Sequence, residues 1–577
     1  MSPKHLGRTA ACTAVALAAG ALLSAPAVAA ERAGDRPQRT VLPATPPGWE
    51  QPVDRPVRAA QAGEARSGAV AAAARAVAPR FDPNGDGFPD VLYRAVDGKY
   101  YDAPGGNSRH TAYGVGIGLR EDFAYKDVIP VGRLDGDSRT DLLTLTADGA
   151  LQLFPGASKS ATRTSATWTG RGWQTYNKVF SPGDLTKDGK ADLLARTYNG
   201  ALYLYPSTGE ARTPYKDRVL VGAGWGAFDQ LVGVNDVTGD GIADVVARTA
   251  GGDLYTYPGT GRKSEPFGAR KKAGHGYQIY NQLVGVDDRD GDGVGDLVGR
   301  TTGGSTYLYR GDGKGGFRAR ETTGSGWYLA RVFGAQGGMA DTGRNDLLAR
   351  DSAGTLWWYY GANNGLLGPR KQLSDRGGWK GATLTYVSSL DGDNDADILE
   401  LWNNHLYIEG RDIGSGWAAY NAILGAGDLN GDGRADLLAR DKAGGAMYLY
   451  RGNGKGGVSA RLKVGSGWGG FTKLTGAGDL TGDGRADLVA RDRSGNLYLY
   501  AGTGSASAPF KGKVRIGTGY NAYRHLVVTG DLTGDGRADL VATDSSGNLW
   551  RYASYGNGKL TARAKIGTGY GIYPNLY

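Results

Sequence analysis

The sequence predicts an all-β protein built from ten repeated units, each holding four short antiparallel strands. Three observations lead there. A phrase recurs ten times, in forms such as Gly427-Asp-Leu-Asn-Gly-Asp-Gly-Arg-Ala-Asp436 and Gly478-Asp-Leu-Thr-Gly-Asp-Gly-Arg-Ala-Asp487. Counted from the position after that first glycine, the copies begin at residues 82, 133, 184, 236, 288, 338, 389, 428, 479 and 531. The period is therefore 50 to 52 residues, with one unit of 39, and a fixed period of this size marks a repeat architecture. Glycine is abundant, 98 of 577 residues, which suits tight turns, and no long 3.6-residue hydrophobic period is present. Four short strands per unit is the content of one β-propeller blade. Ten blades leave one wide ring or two five-bladed rings open, with a division near residue 336, where the repeat is most degenerate.

The elements follow in chain order. Lys4 and Arg8 precede an apolar run over residues 10–23, and Ala27-Val-Ala29 or Val28-Ala-Ala30 offers a small-residue cleavage site. Residues 1–30 read as an export signal and the protein as secreted. The run is short for a membrane span, and no second one follows. Cys12, the only cysteine, lies inside it, so the exported chain is expected to lack disulfides and to need another staple. Residues 31–80, rich in Pro, Ala and Arg, read as a disordered linker or pro-segment, with a short helix over residues 59–77 as the alternative.

One unit shows the strands. In the copy at 428, residues 435–440 form a run of strand length and Gly444-Gly445 turns the chain. Residues 447–450 (Met-Tyr-Leu-Tyr) are bulky and aromatic, and a glycine loop follows. Residues 458–464 form a third strand, Gly465-Ser-Gly-Trp468 turns again, and residues 471–475 form a fourth. The repeats open at Phe81 on the phrase and finish at Tyr577 in the segment that precedes the phrase elsewhere. The first and last strands are thus expected to share a blade, removing an open edge.

The phrase itself is a string of oxygen ligands. Most copies read D-x-[D/N/T]-x-D-G-x-x-D, the alternate-oxygen pattern of an EF-hand loop with glycine at the bend and an Asp at the ninth position in place of the EF-hand's terminal Glu. Hard oxygens favour calcium over zinc or copper. Three copies carry the full set: Asp82, Asn84, Asp86 and Asp90; Asp288, Asp290, Asp292 and Asp296; Asp428, Asn430, Asp432 and Asp436. Four carry Thr at the third position: Asp184, Asp188 and Asp192; Asp236, Asp240 and Asp244; Asp479, Asp483 and Asp487; Asp531, Asp535 and Asp539. Two begin with Arg133 or Ser389 and lack the first carboxylate, and the copy at 338 (Gly338, Ala340, Thr342, Asp346) is expected to bind no metal. The competing reading is an Asp-Gly turn whose side chains cap their own backbone. Crowded carboxylates favour the metal, since they repel one another without a cation or protonation.

These residues resemble the FG-GAP/VCBS repeat family, the calcium-loop blades of integrin-alpha-type propellers, over about residues 81–577. Ala562-Arg-Ala-Lys-Ile-Gly-Thr-Gly-Tyr570 and Ala460-Arg-Leu-Lys-Val-Gly-Ser-Gly-Trp468 are similar to the A-R-x-x-I-G-x-G-W stretch of propeller lectins. The resemblance implies calcium as the cofactor and glycan binding as a candidate activity, although those lectins close with five or seven blades.

Candidate ligand-binding residues are the aromatics after G-x-G, Trp173, Trp225, Trp327, Trp417 and Trp468, and the arginines four residues past the last loop Asp, Arg196, Arg248, Arg440 and Arg491. Flat rings suit sugar faces and guanidinium groups suit hydroxyls. An aromatic recurring in nearly every blade is more simply packing that each blade needs, with the arginines bonding loop carbonyls or carboxylates. Catalysis has little support: the four histidines beyond His5 fall at different phases of the repeat, and no G-x-S-x-G, H-E-x-x-H or phosphate-cradling loop occurs. The formal charge of +9 is spread thinly, which points to acidic polymers and not to nucleic acid. The expectation is a secreted, calcium-binding, monomeric propeller that binds extracellular glycan or a surface polymer without catalysis. A protein-adhesion or scaffold module, and a polysaccharide hydrolase or lyase, are the alternatives.

Overall fold

The computed structural model describes residues 36–42, 51–54, 79–95, 99–105, 111–113, 125–134, 140–146, 149–156, 166–335, 346–362, 364–391 and 396–577. The export signal, most of the stretch 31–80, Asp135, Asp137 and Asp393, and the loop of the copy at 338 up to residue 345 lie outside them. Residues 39–577 form one compact unit, and everything below concerns it. Its ten sheets are all antiparallel, nine of four strands and one of five. No α-helix occurs among the described residues, only short 3-10 turns.

Each blade starts one strand earlier than the repeated phrase. In the copy at 428 the sheet runs Tyr420–Gly427, Asp436–Asp441, Met447–Tyr450, Leu462–Gly465. The acidic loop is therefore the hairpin between the first and second strands. Residues 471–475, expected as this unit's fourth strand, belong to Phe471–Gly478, which pairs with Asp487–Asp492 in the next sheet. The strand is where the sequence puts it; only pairing decides which sheet owns it. The third strand alternates as a pleated surface requires: Met447 and Leu449 are buried, Tyr448 and Tyr450 half-buried.

Pairing divides the sheets into two sets of five, each returning on itself. Ala330–Phe333 joins the sheet of Val91–Ala95, with Tyr93 opposite Phe333. Asn575–Leu576 joins the sheet of Asp346–Arg350, with Ala349 opposite Leu576. Within the first set, Phe333 N–H donates to Gln282 and Ala335 N–H to Val128 O, so the returning strand sits between the innermost strands of two other blades. The innermost strands of the second set all line one central cavity of about 380 Å³. We refer to the two sets as the first and second rings.

The rings are narrow at the centre, and glycine makes this possible. A Cβ on Gly285 would lie 1.9 Å from Gly233 O, and one on Gly476 1.8 Å from Gly425 O, both on the innermost strand of the preceding blade. In the first ring Arg80 fills the centre. Its guanidinium donates to Asp287 Oδ1 (2.7 Å), Ser181 O (2.6 Å) and Gly233 O (3.0 Å), and its backbone N–H donates to Asp287 Oδ2. Hydrophobic clusters lie between neighbouring blades, as with Leu424, Leu438 and Met447 against Trp468, Leu474 and Leu488.

Three pieces of the stretch read as a linker are docked on the repeats. Arg80 is one. Val53–Asp54 pairs with Gly324 and Ser325 as a fifth strand. Arg39 bonds Glu400 at 2.9 Å, and Leu42 N–H donates to Leu373 O. Composition missed them because the contacts are polar or edge-strand pairings with distant residues, with no hydrophobic period to betray them.

Candidate functional site

The acidic loops come first. In each described strong copy the ninth-position Asp is the first residue of the second strand or immediately precedes it, and is buried. Asp436 shows the pattern: Oδ1 accepts from Gly452 N–H (2.9 Å) and Oδ2 from Leu429 N–H (3.0 Å). Asp90 Oδ1 accepts from Gly105 N–H; Asp192, Asp244, Asp296, Asp487 and Asp539 repeat the double contact with Ser207 and Leu185, Gly259 and Val237, Gly311 and Arg289, Gly502 and Leu480, Ser554 and Leu532. This carboxylate staples the loop to its own blade. The first Asp is held by the loop backbone: Asp236 Oδ1 accepts from Gly239 N–H and Oδ2 from Gly241 N–H, both at 2.6 Å. Asp184, Asp428, Asp479 and Asp531 accept the corresponding bonds. The capping role of an Asp-Gly turn is thus real and coexists with the ligand pattern.

Burial works against ionisation here. It raises Asp90, Asp192, Asp244, Asp436 and Asp487 to about 7, and neighbouring carboxylates add to the rise. Asp296 reaches about 8, through burial and then the charges of Asp290, Asp292 and Asp288. Buried acids in one small volume suit a hard cation. The fit is closest at the 288 loop, where oxygens of Asp288, Asp290 and Asp296 all lie within 4.8 Å of one another, about the diameter of a calcium coordination sphere. Arg310 also pairs with Asp290 there at 2.5 Å, and Arg318 with Asp292 at 3.3 Å. In the full-set copies with Asn, the amide turns its nitrogen to the ninth Asp: Asn84 Nδ2 donates to Asp90 and Asn430 Nδ2 to Asp436. An ion would need that amide reversed, oxygen inward. Thr238, Thr481 and Thr533 hydroxyls sit 3.3–3.4 Å from the first Asp of their loops. Asp86 and Asp188 contribute backbone caps to Phe88 and Lys190; Asp240, Asp292, Asp432, Asp483 and Asp535 do the same for the residue two on.

Sequence reasoning missed one member of this group. Glu409 brings an oxygen within 4.8 Å of Asp391 and Asp397, in the copy that begins with Ser389. It follows the strand His405–Ile408 in the unit of 39 residues, so the shortened outer hairpin places it beside the loop.

The proposed sugar-stacking aromatics need correction. Trp173, Trp225, Trp327, Trp417 and Trp468 are each buried between blades. Their faces meet protein: Trp173 lies 4.7 Å from Tyr205, Trp225 4.5 Å from Tyr257, Trp417 4.5 Å from Tyr450 and Trp468 4.6 Å from Tyr500; Trp327 lies 5.1 Å from Tyr93. The arginines are clamps. Arg196 donates to Trp225 O and Phe228 O, Arg248 to Tyr277 O and Tyr280 O, Arg440 to Trp468 O and Phe471 O, Arg491 to Tyr520 O and Tyr523 O. Arg300 does the same, fully buried. Each guanidinium fixes the turn that carries the next blade's aromatic.

A different set of residues is open to solvent. Seven exposed cations each lie over a half-buried aromatic ring: Arg218 over Tyr203, Arg270 over Tyr255, Arg320 over Tyr307, Arg370 over Trp357, Arg461 over Tyr448, Lys513 over Tyr498 and Arg563 over Trp550, at 4.2–4.7 Å. Several of these guanidinium groups also donate to a phenol that is half of a tyrosine pair. Arg320 donates to Tyr280 Oη (2.8 Å), itself 2.6 Å from Tyr309 Oη; Arg461, Arg563 and Arg370 repeat this with Tyr420, Tyr523 and Tyr573. The signal was in the sequence: an aromatic alternation in the third strand and a basic residue just before or at the start of the fourth.

A family model described as an FG-GAP-like repeat matches residues 133–195, 428–490 and 479–542. No curated protein matches the chain in sequence. Among solved structures, the chain is similar to an Agrocybe aegerita lectin described as recognising non-reducing terminal N-acetylglucosamine, at 18% identity over 79% of this chain and 95% of that one, TM-score 0.22. It is similar to the BP39L lectin of Burkholderia pseudomallei at 12% identity over 77% and 100%, TM-score 0.21. It is also similar to Sqt1 of Saccharomyces cerevisiae at 13% identity over 77% and 97%, TM-score 0.22.

Proposed function

For this chain of FG-GAP-like repeats, we propose a secreted, calcium-stabilised β-propeller that binds extracellular glycan or an acidic surface polymer at many equivalent clefts, without catalysis. The observation that carries this is the sevenfold recurrence of an exposed cation stacked on a half-buried ring. Such a pair offers N–H donors beside an apolar face, the combination that sugar hydroxyls and C–H faces need, with positive charge for acidic substituents. Weak contacts repeated at fixed spacing suit a polymer, because each further contact is made at high effective concentration. Secretion rests on the apolar run at residues 10–23 and its cleavage site. Calcium rests on the donor chemistry of the loops and on the 4.8 Å cluster at Asp288, Asp290 and Asp296. Among the described residues, no helix is long and apolar enough to cross a membrane.

Binding to immobilised glycans and to insoluble cell-wall polymer, with and without EDTA, tests the proposal. Retention on at least one acidic polymer is expected, weakened by Arg320→Ala and Arg461→Ala together. Failure to bind any glycan or polymer would overturn it.

A further inference from the structure

The chain's own N-terminal stretch docks twice at the same kind of place. Val53–Asp54 extends the edge strand Glu321–Ser325, and Asp54 Oδ1 accepts the indole N–H of Trp327 at 2.9 Å. Thr40 O accepts the indole N–H of Trp379 at 3.3 Å, while Leu42 N–H donates to Leu373 O beside another edge strand. In both cases an extended segment lies along the outermost strand of a blade and an oxygen meets the indole that ends the turn.

Two other blades carry similar fittings with no occupant among the described residues. Val219–Gly222 and Leu462–Gly465 are outermost strands with no further strand beside them among the described residues. Trp225 and Trp468 are each 7% exposed, and their indole N–H groups have no hydrogen-bond partner among the described residues. The glycine that opens the turn leaves a cradle: a Cβ on Gly222 or Gly465 would meet only the indole nitrogen, at 3.9 and 3.6 Å. At the occupied blade a Cβ on Gly324 would meet Thr306 Oγ1 (2.6 Å), the indole nitrogen (2.7 Å) and Asp54 Oδ1 (2.9 Å), so the carboxylate lies at the corresponding cradle. Each bare edge exposes a leucine next to basic residues, Arg218 before one and Arg461 and Lys463 at the other. Leu220 is 58% exposed and Leu462 38%, so an added strand would cover apolar surface while its acidic side chain meets the neighbouring cations.

We propose that the edges Val219–Gly222 and Leu462–Gly465 bind an extended acidic peptide from another molecule. Its backbone adds a strand to the sheet, and its carboxylate accepts the indole N–H of Trp225 or Trp468. The seated Val53–Asp54 segment is the template for this occupant. These edges adjoin two of the cation-on-ring clefts, with Arg218 just before Val219 and Arg461 just before Leu462, and the indole signals of Trp225 and Trp468 distinguish peptide on the edge from polymer on the rings.

The test uses the full chain with 15N-labelled tryptophan and a capped synthetic peptide of sequence Gln-Pro-Val-Asp, that of residues 51–54. Trp225→Phe and Trp468→Phe assign the two indole signals. Peptide is expected to shift both signals and to leave those of Trp327 and Trp379, already bonded, in place. Replacing the peptide's Asp by Asn is expected to weaken binding about tenfold, the share of a charged hydrogen bond. Gly465→Val, which fills the cradle without meeting backbone, is expected to abolish the Trp468 shift while the other indole signals hold. No shift with peptide, equal shifts with a scrambled peptide, or shifts produced by a neutral monosaccharide instead would each overturn the proposal.

Discussion

Arg537 Nη1 in the second ring lies 3.7 Å from Asp229 Oδ2 in the first. Around this pair, Asn281 Nδ2 donates to Thr533 O (2.7 Å), Arg300 to Gly534 O (3.3 Å) and Asn177 to Asp483 O (3.4 Å). The acidic loops at 479 and 531 therefore form part of the contact between the rings. Arg537→Met removes one charge from this contact, while Asp229 keeps Arg248 at 2.7 Å. The expected cost is about 1–3 kcal/mol in denaturant unfolding, with a single calorimetric transition broadening towards two. An unchanged profile would mean that the rings do not stabilise each other through this pair.

The two arginine sets are expected to separate stability from binding within one blade. Arg300→Met removes the guanidinium that bridges the carbonyls of Trp327 and Ala330, although Trp327 O keeps the Ala330 N–H, and is expected to cost about 1–3 kcal/mol, with polymer binding retained by the folded fraction. Arg320→Ala removes the exposed cation over Tyr307 and is expected to weaken polymer binding with little change in melting temperature. Thermal melts and polymer retention on both variants check this.

Close approach at the ring centre gives a third expectation. Gly285→Ala places a methyl 1.9 Å from Gly233 O and is expected to cost at least about 2–3 kcal/mol, because backbone on both sides must move. Gly470→Ala, with open space around the added Cβ, serves as the control and is expected to be near neutral. Chemical denaturation of the two variants distinguishes them.

Much of this was legible in the sequence, and the reasons differ by feature. The hairpin from Asp436 to Tyr450 is local, so alternation and turn glycines suffice to find it. The pairing of Tyr93 with Phe333, which sets the number of rings, joins distant residues and leaves no local trace. The ligand pattern of the loops was readable, yet the double backbone contact of the ninth Asp was not, since both N–H partners are placed by the blade's own folding. Trp468 was readable as a recurring aromatic, but only its 4.6 Å approach to Tyr500 decides between packing and ligand. Glu409 was invisible because it reaches the 389 loop only through the shortened hairpin of its unit.

The loops set an expected pH dependence. The ninth-position carboxylates, ordinarily near 4, are raised to about 7 or 8 in the folded chain. A raised carboxylate favours folding while protonated, so metal-free stability is full below about pH 4 and falls as pH rises through 7 to 8. Calcium binds the ionised form, so its stabilisation grows over the same interval. Melting temperatures in EDTA are expected to fall between pH 5 and pH 8, and the gap between calcium and EDTA to widen. A gap independent of pH would contradict the assignment of these acids as ligands.

The most direct measurement is calcium content and melting temperature on one preparation, before and after exhaustive chelation. If each strong loop binds with a dissociation constant of ~0.1 mM, ~1 mM calcium adds about 1.4 kcal/mol per site. Calcium in the seven loops and a large drop in melting temperature on its removal, restored by calcium addition, is the expected result. An unchanged melting temperature after chelation, with no calcium found in the untreated protein, would contradict it.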